Sequence, residues 1–168
     1  YAELQLEIVI SMNIVMESIM IVPRISSRNQ ARDVMMVIHV QSLMNATGFD
    51  LSAVGNHEFD TGPEGFGNLT GKANFSFICA NVSTESQLNL RISPYRIITL
   101  PNGLKLAFLG LLQLGQNGIP DTHPDNAKAF SFRSPFETAP EFLWLKDSSD
   151  IFIALTHIGF EAVSYTHL

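Results

Sequence analysis

The stretch Asp50-Leu51-Ser52-Ala53-Val54-Gly55-Asn56-His57-Glu58-Phe59-Asp60 decides how this chain is read. Its first half is a short apolar run between glycines, the pattern of a buried strand. Its second half turns polar at once, placing an amide, an imidazole and two carboxylates side by side. A second apolar run, Asp150 to Thr156, ends in the same manner at Thr156-His157-Ile158-Gly159. Open α/β sheets bind ligands in the crevice outside the carboxyl ends of their strands, where side chains far apart in sequence converge.

Working outward, apolar residues at Met36, Val40, Leu43 and Met44 form a helical stripe starting near Arg32 and stopping at Gly48. Phe75 to Ala80 reads as another short strand. Tyr95–Leu100 and Leu104–Leu112 flank Pro101-Asn102-Gly103 and predict a β-hairpin. Gln113 to Ser131, with Gly115, Gly118, Pro120 and Pro124, is expected to be a loop, and Gly62, Gly65 and Gly67 a flexible stretch. A helix begins at Ser134-Pro135-Phe136-Glu137 or one turn later at Thr138-Ala139-Pro140-Glu141, and ends near Lys146-Asp147. Residues 1–22 are apolar without a clean period, which leaves helix and strand open, and Pro23 to Gln30 breaks the pattern. Strands separated by helices, with one hairpin, define an α/β layered class.

Composition narrows the function. The 168 residues suit one domain, and 46% hydrophobic against 15% charged residues suffices for a core. A net charge of −6 argues against a nucleic-acid polymer as partner. Cys79 is the single cysteine, so neither an intrachain disulfide nor a thiolate zinc cluster can form. No apolar run approaches the roughly 18 residues of a membrane span. No signal peptide is visible, which leaves the compartment open.

Imidazole, amide oxygen and carboxylate together suit a hard, thiolate-free cation site. Two cations about 3.5–4 Å apart can clamp the attacking and leaving oxygens of a phosphoryl displacement. An unligated His nearby donates best when a carboxylate orients its other ring nitrogen. Asp60 lies three residues after His57, a spacing that permits that pairing if the loop winds into a helix.

Gly55-Asn56-His57-Glu58-Phe59-Asp60 resembles the signature of the calcineurin-like metallophosphoesterases. Its Glu-Phe-Asp continuation is similar to the bacterial 5′-nucleotidase / UDP-sugar hydrolase branch, as is Leu155-Thr156-His157-Ile158-Gly159. The resemblance runs from about Leu43 to Glu161. It implies a layered metallophosphoesterase-type β-sandwich flanked by helices, incomplete at both ends. It also implies two divalent metal ions (Zn, Mn, Co, Mg or Ca) and metal-dependent hydrolysis of nucleotide phosphate esters. On this likeness His57 is the catalytic histidine, Asp60 pairs with it, and Asn56 and His157 ligate one metal. Glu58 and Phe59 are structural, with Phe59 packed beneath the loop. Such proteins are periplasmic, cell-surface or secreted.

The chain also departs from that pattern. The family's upstream Asp-x-His strand end and its Gly-Asp motif do not occur in residues 1–54. Arg24 stands where the bridging Asp is expected, and no Gly-His-x-His or Gly-His-x-Gln follows His157. Residues 1–40 are therefore set apart as a segment that need not be native, 41–161 as part of a catalytic domain, and 162–168 as a non-native tail. On its own this piece is expected to be weakly active or inactive. The rival reading is a phosphoesterase-like binding or structural module without catalysis. Within the enzymes, 2′,3′-cyclic-nucleotide phosphodiesterase and UDP-sugar hydrolase compete.

Other conspicuous residues have plainer readings. His39 belongs to a helix surface, His123 to a solvated loop, and His167 to the tail. The methionines and Cys79 read as core packing. The sequons at Asn45, Asn68, Asn74 and Asn81 are taken as coincidence.

Overall fold

The computed structural model describes residues 7–11, 41–84, 88 and 90–158. His39, His167, the start of the first helix and most of residues 1–40 lie outside the described residues. Two sheets face one another. The first has four strands in the order β1 (Glu7–Ser11), β9 (Ile151–His157), β7 (Lys105–Leu112), β6 (Tyr95–Thr99). The pairs β1–β9 and β9–β7 are parallel, and β7–β6 is antiparallel. The second sheet is parallel throughout, in the order β2 (Leu51–Ala53), β3 (Ser76–Ile78), β5 (Ile92–Ser93). A two-stranded ribbon, β4 (Val82–Thr84) with β8 (Phe130–Phe132), stands beside them.

Alternation along the strands sorts the side chains into layers. Leu51, Ala53, Ile78, Phe108 and Leu155 fill the space between the two sheets. Ala107, Leu109 and Leu111 point the other way, against Leu145 and Phe142. On the far side of the second sheet, Phe77 and Phe75 pack with Met44, Phe66, Leu69 and Phe59. The result is helix, sheet, sheet, helix, the layered α/β class expected from the sequence. Gly110 sets the sheet spacing. A Cβ there would lie 2.3 Å from the carbonyl oxygen of Ile78, so only glycine lets β7 approach β3 this closely. The Ala80 N–H then donates to the Gly110 carbonyl at 2.8 Å, tying the layers together.

Several expectations hold. Residues 41–47 are helical and stop at Gly48. The hairpin forms, closed by the Gly103 N–H donating to the Leu100 carbonyl at 2.9 Å. Both proposed helix starts are used in succession, as an α-turn Pro135–Thr138 followed by a 3-10 helix Ala139–Leu145. Pro140 lacks the N–H that an α-helix would need there, so the chain winds tighter. Ser134 occupies the cap position without a side-chain capping bond. Its carbonyl instead accepts from the Thr138 hydroxyl at 2.9 Å.

Two expectations are corrected. The glycine-bearing segment after Asp60 is a helix, Gly62–Lys72, with Pro63 in its first turn. Packing overrides propensity here, because Phe66 is fully buried with its ring centroid 5.1 Å from that of Phe59. The segment Gln113–Ser131 is not loop throughout. It holds the short helix Pro124–Ala127, and its end enters β8, which pairs with β4. Among the described residues, no helix is long and apolar enough to cross a membrane.

Candidate metal and catalytic centre

β2 delivers the chain to the edge of the second sheet, and the 3-10 helix Asn56–Phe59 follows within three residues. The buried Glu58 carboxylate shapes this turn, accepting the Gly55 N–H at 2.7 Å. Burial pushes the Glu58 carboxyl above its usual range, and the hydrogen bond from Gly55 opposes that shift. Phe59 is the anchor below. It is fully buried and meets Phe130 and Phe132 edge-on at 5.0 and 5.4 Å. Each such aromatic contact contributes about 0.5–1.5 kcal/mol beyond area burial. The apolar residue of the motif thus fixes the polar ones at the surface, as expected for Glu58 and Phe59.

The winding of the turn brings Asp60 back to His57, with Nδ1 and Oδ2 2.7 Å apart. This hydrogen bond is the chief reason the His57 pKa is raised; partial burial opposes it. Nδ1 is thereby committed as a donor and Nε2 is left to face outward. Asp60 has a further partner, the Thr122 hydroxyl, which donates to Oδ1 at 2.9 Å.

The second polar strand end arrives from the other sheet. Gln113 N–H donates to the His157 carbonyl at 2.8 Å, holding the end of β9 beside β7. The His157 ring reaches across to Asn56, with Nε2 and Oδ1 2.8 Å apart although 101 residues separate them. Gly55 lies against that ring: a Cβ there would sit 3.1 Å from Glu58 Oε2 and in van der Waals contact, at 3.4 Å, with His157 Nδ1 and Cε1. The Asn56 amide nitrogen is turned away, donating to the Asp121 carbonyl at 3.0 Å. Burial, with a smaller contribution from His57, lowers the His157 pKa and so favours the neutral imidazole. A neutral imidazole nitrogen and an amide oxygen directed at one point are donors a divalent cation accepts. The donor chemistry fits, but it fills only part of a coordination sphere. Among the described residues, no group of three or more His, Cys, Asp or Glu side chains could hold a metal.

All four residues singled out from the sequence therefore meet at one edge of the two sheets. Sequence reasoning missed Asp121, Thr122 and Asn126, which bind the turn from a segment expected to be loop. His123 is exposed and its ring caps the helix Pro124–Ala127, accepting from the Asp125 N–H at 3.3 Å. Cys79 is buried, and burial pushes its thiol up to about 12.

Known proteins agree with this architecture. The chain is 32% identical over 119 residues to a 5′-nucleotidase of Vibrio cholerae, covering 69% of this chain and 21% of that protein. It is 33% identical over 121 residues to the protein UshA of Salmonella pullorum, with the same coverage of 69% and 21%. The crystal structure of a 5′-nucleotidase precursor from Thermus thermophilus superposes with a TM-score of 0.64 at 25% identity, over 75% of this chain and 25% of that one. No protein-family model matches the chain. The chain spans about a fifth (21%) of the length of these curated relatives. It belongs to the calcineurin-like metallophosphoesterases, and within them to the family of the bacterial 5′-nucleotidases.

Proposed function

We propose that this chain contributes to a metal-dependent hydrolase of nucleotide phosphate esters, of the 5′-nucleotidase type, working outside the cytoplasm. The observation that carries the reading is the meeting of Asn56 Oδ1 and His157 Nε2 at 2.8 Å beside the His57–Asp60 pair. Asn56 and His157 would hold one cation of a divalent pair, in place of the hydrogen bond that His157 Nε2 now donates to Asn56 Oδ1. The cations, when bound, supply Lewis-acid charge to the phosphate and to the attacking water. His57 Nε2–H would donate its proton to the departing oxygen as the phosphorus–oxygen bond breaks, while Asp60 holds Nδ1–H in place. The raised His57 pKa suits this role, because it keeps more of the ring protonated near neutrality.

Full-length protein carrying His57→Ala is expected to lose roughly 10²–10⁴-fold in turnover on nucleoside 5′-phosphates while keeping its metals. Asn56→Ala or His157→Ala should instead lower the divalent-ion content measured by elemental analysis. An unchanged rate in His57→Ala removes the catalytic role. A metal-free protein, inert on every phosphate ester tested, would favour the non-catalytic module.

A further inference from the structure

We propose that Thr122 is a positioning residue for the His57–Asp60 pair, and that the segment 121–126 is the device that holds the catalytic turn in register. The inference rests on the function proposed above and extends it to residues that no sequence motif marks.

The need for such a device follows from exposure. The side chains of His57 and Asp60 are 57% and 44% exposed. An exposed ion pair of this kind is worth little by itself and does not hold two side chains in one geometry. The Asp60 carboxylate can rotate about its Cβ–Cγ bond, and its two equivalent oxygens line up with Nδ1 only in orientations a half-turn apart. The Thr122 hydroxyl removes that freedom, donating to Oδ1 at 2.9 Å while Oδ2 accepts from His57 at 2.7 Å. Two neighbours fix the same turn. Asn126 Nδ2 donates to the Asp60 carbonyl at 2.9 Å, and the Asp121 carbonyl accepts from Asn56 Nδ2 at 3.0 Å. The second bond settles which end of the Asn56 amide faces His157, leaving Oδ1 to accept from His157 Nε2.

The segment is itself well founded. Pro120 is fully buried at one end and Ala127 is 3% exposed at the other. Removing the Thr122 hydroxyl therefore leaves these anchors and the Asn126 bond intact. A loss of activity would then report on the carboxylate rather than on the loop.

The test is steady-state kinetics on the full-length, metal-loaded protein with a nucleoside 5′-phosphate, alongside metal content and melting temperature. Thr122→Val keeps the shape and removes the donor. It is expected to lower kcat roughly tenfold with KM and metal content unchanged. Thr122→Ser, which restores the donor, should recover most of that loss. In the double variant with His57→Ala, Thr122→Val should add no further loss, because it acts through a ring no longer present. Imidazole 15N NMR of the metal-free protein supplies a readout apart from turnover. His57 should hold the Nδ1–H tautomer in the wild type and in Thr122→Ser, and a mixture in Thr122→Val. Wild-type kcat in Thr122→Val, a loss that Ser does not rescue, or a full additional loss in the double variant would each overturn the proposal. A wild-type rate in His57→Ala would instead bring down the functional reading on which it rests.

Discussion

Asn56 and Asn81 stand at matching places on neighbouring strands and have opposite fates. β2 and β3 run parallel with Ala53 opposite Ile78, and each asparagine is the third residue beyond its strand. Asn81 is 1% exposed. Its amide donates to the carbonyls of Leu112 at 2.8 Å and Arg133 at 3.0 Å, and its oxygen accepts the Leu112 N–H at 2.9 Å. Every strong hydrogen-bonding group of Asn81 thus serves backbone, joining the end of β7 to the β4–β8 ribbon. Asn56 gives the backbone only its nitrogen and turns its oxygen to the His157 ring. The same residue type at the same strand position is a fastener in one case and a candidate ligand in the other. What separates them is whether the oxygen meets backbone or a titratable side chain. The Asn81 amide, the side chain of one of the four sequons, is thus buried and fully engaged.

The largest effect that would test the contrast is on stability. Asn81→Ala leaves the buried Leu112 and Arg133 groups without partners and should cost roughly 3–5 kcal/mol. Asn56→Ala in metal-free protein should cost less than about 1 kcal/mol, because its partners lie near solvent. Urea unfolding of the two variants measures both. Similar losses at the two positions would erase the distinction.

That distinction was only half legible in the sequence. The Asn56 turn announced itself because strand, glycine, amide, imidazole and carboxylate follow one another locally, and Phe59 marks the apolar anchor. Asn81 carries no local sign of its role, since its partners lie 31 and 52 residues away. The same reason hid Thr122 and Asn126, which reach Asp60 across 62 and 66 residues. The helix Gly62–Lys72 was obscured differently. Its glycines argue against a helix locally, and only the burial of Phe66 and Leu69 against the aromatic cluster stabilises it. Periodicity and turn chemistry report on neighbours in sequence, so β2, β3, β9, the hairpin and both helix starts were readable, while the short strands β4, β5 and β8 and the clamp around the site were not.

A smaller effect sharpens the picture of Asn81 as a fastener. Gly110 and Asn81 secure the same junction, one by close approach and one by hydrogen bonds. Gly110→Ala puts a methyl group against the Ile78 carbonyl, 2.3 Å away, and must push the sheets apart. The expected cost is about 1–3 kcal/mol. Combined with Asn81→Ala, it should fall short of additivity, because separated sheets already weaken the bonds that Asn81 makes. Strict additivity in the unfolding free energies would mean that the two residues hold independent parts of the molecule.

The smallest effect concerns the site side of the comparison, and pH exposes it. The His57 pKa is raised chiefly by the hydrogen bond to Asp60. A group whose folded pKa exceeds its unfolded value, about 6.5 for histidine, stabilises the fold below that value. The contribution fades as pH rises through the folded pKa and the ring loses its charge. Both partners are substantially exposed, so solvent and salt screen the pair, and its contribution stays below about 1 kcal/mol. Asp60→Asn should therefore lower the stability of metal-free protein modestly near pH 5.5 and by less near pH 8.5, the gap shrinking further in high salt. Asn81→Ala, which removes no charge, should shift the whole stability curve by a constant amount across that range. Thermal melts of wild type and both variants against pH read this directly. Curves for Asp60→Asn and wild type that run parallel would show that His57 and Asp60 do not form a charged pair in solution.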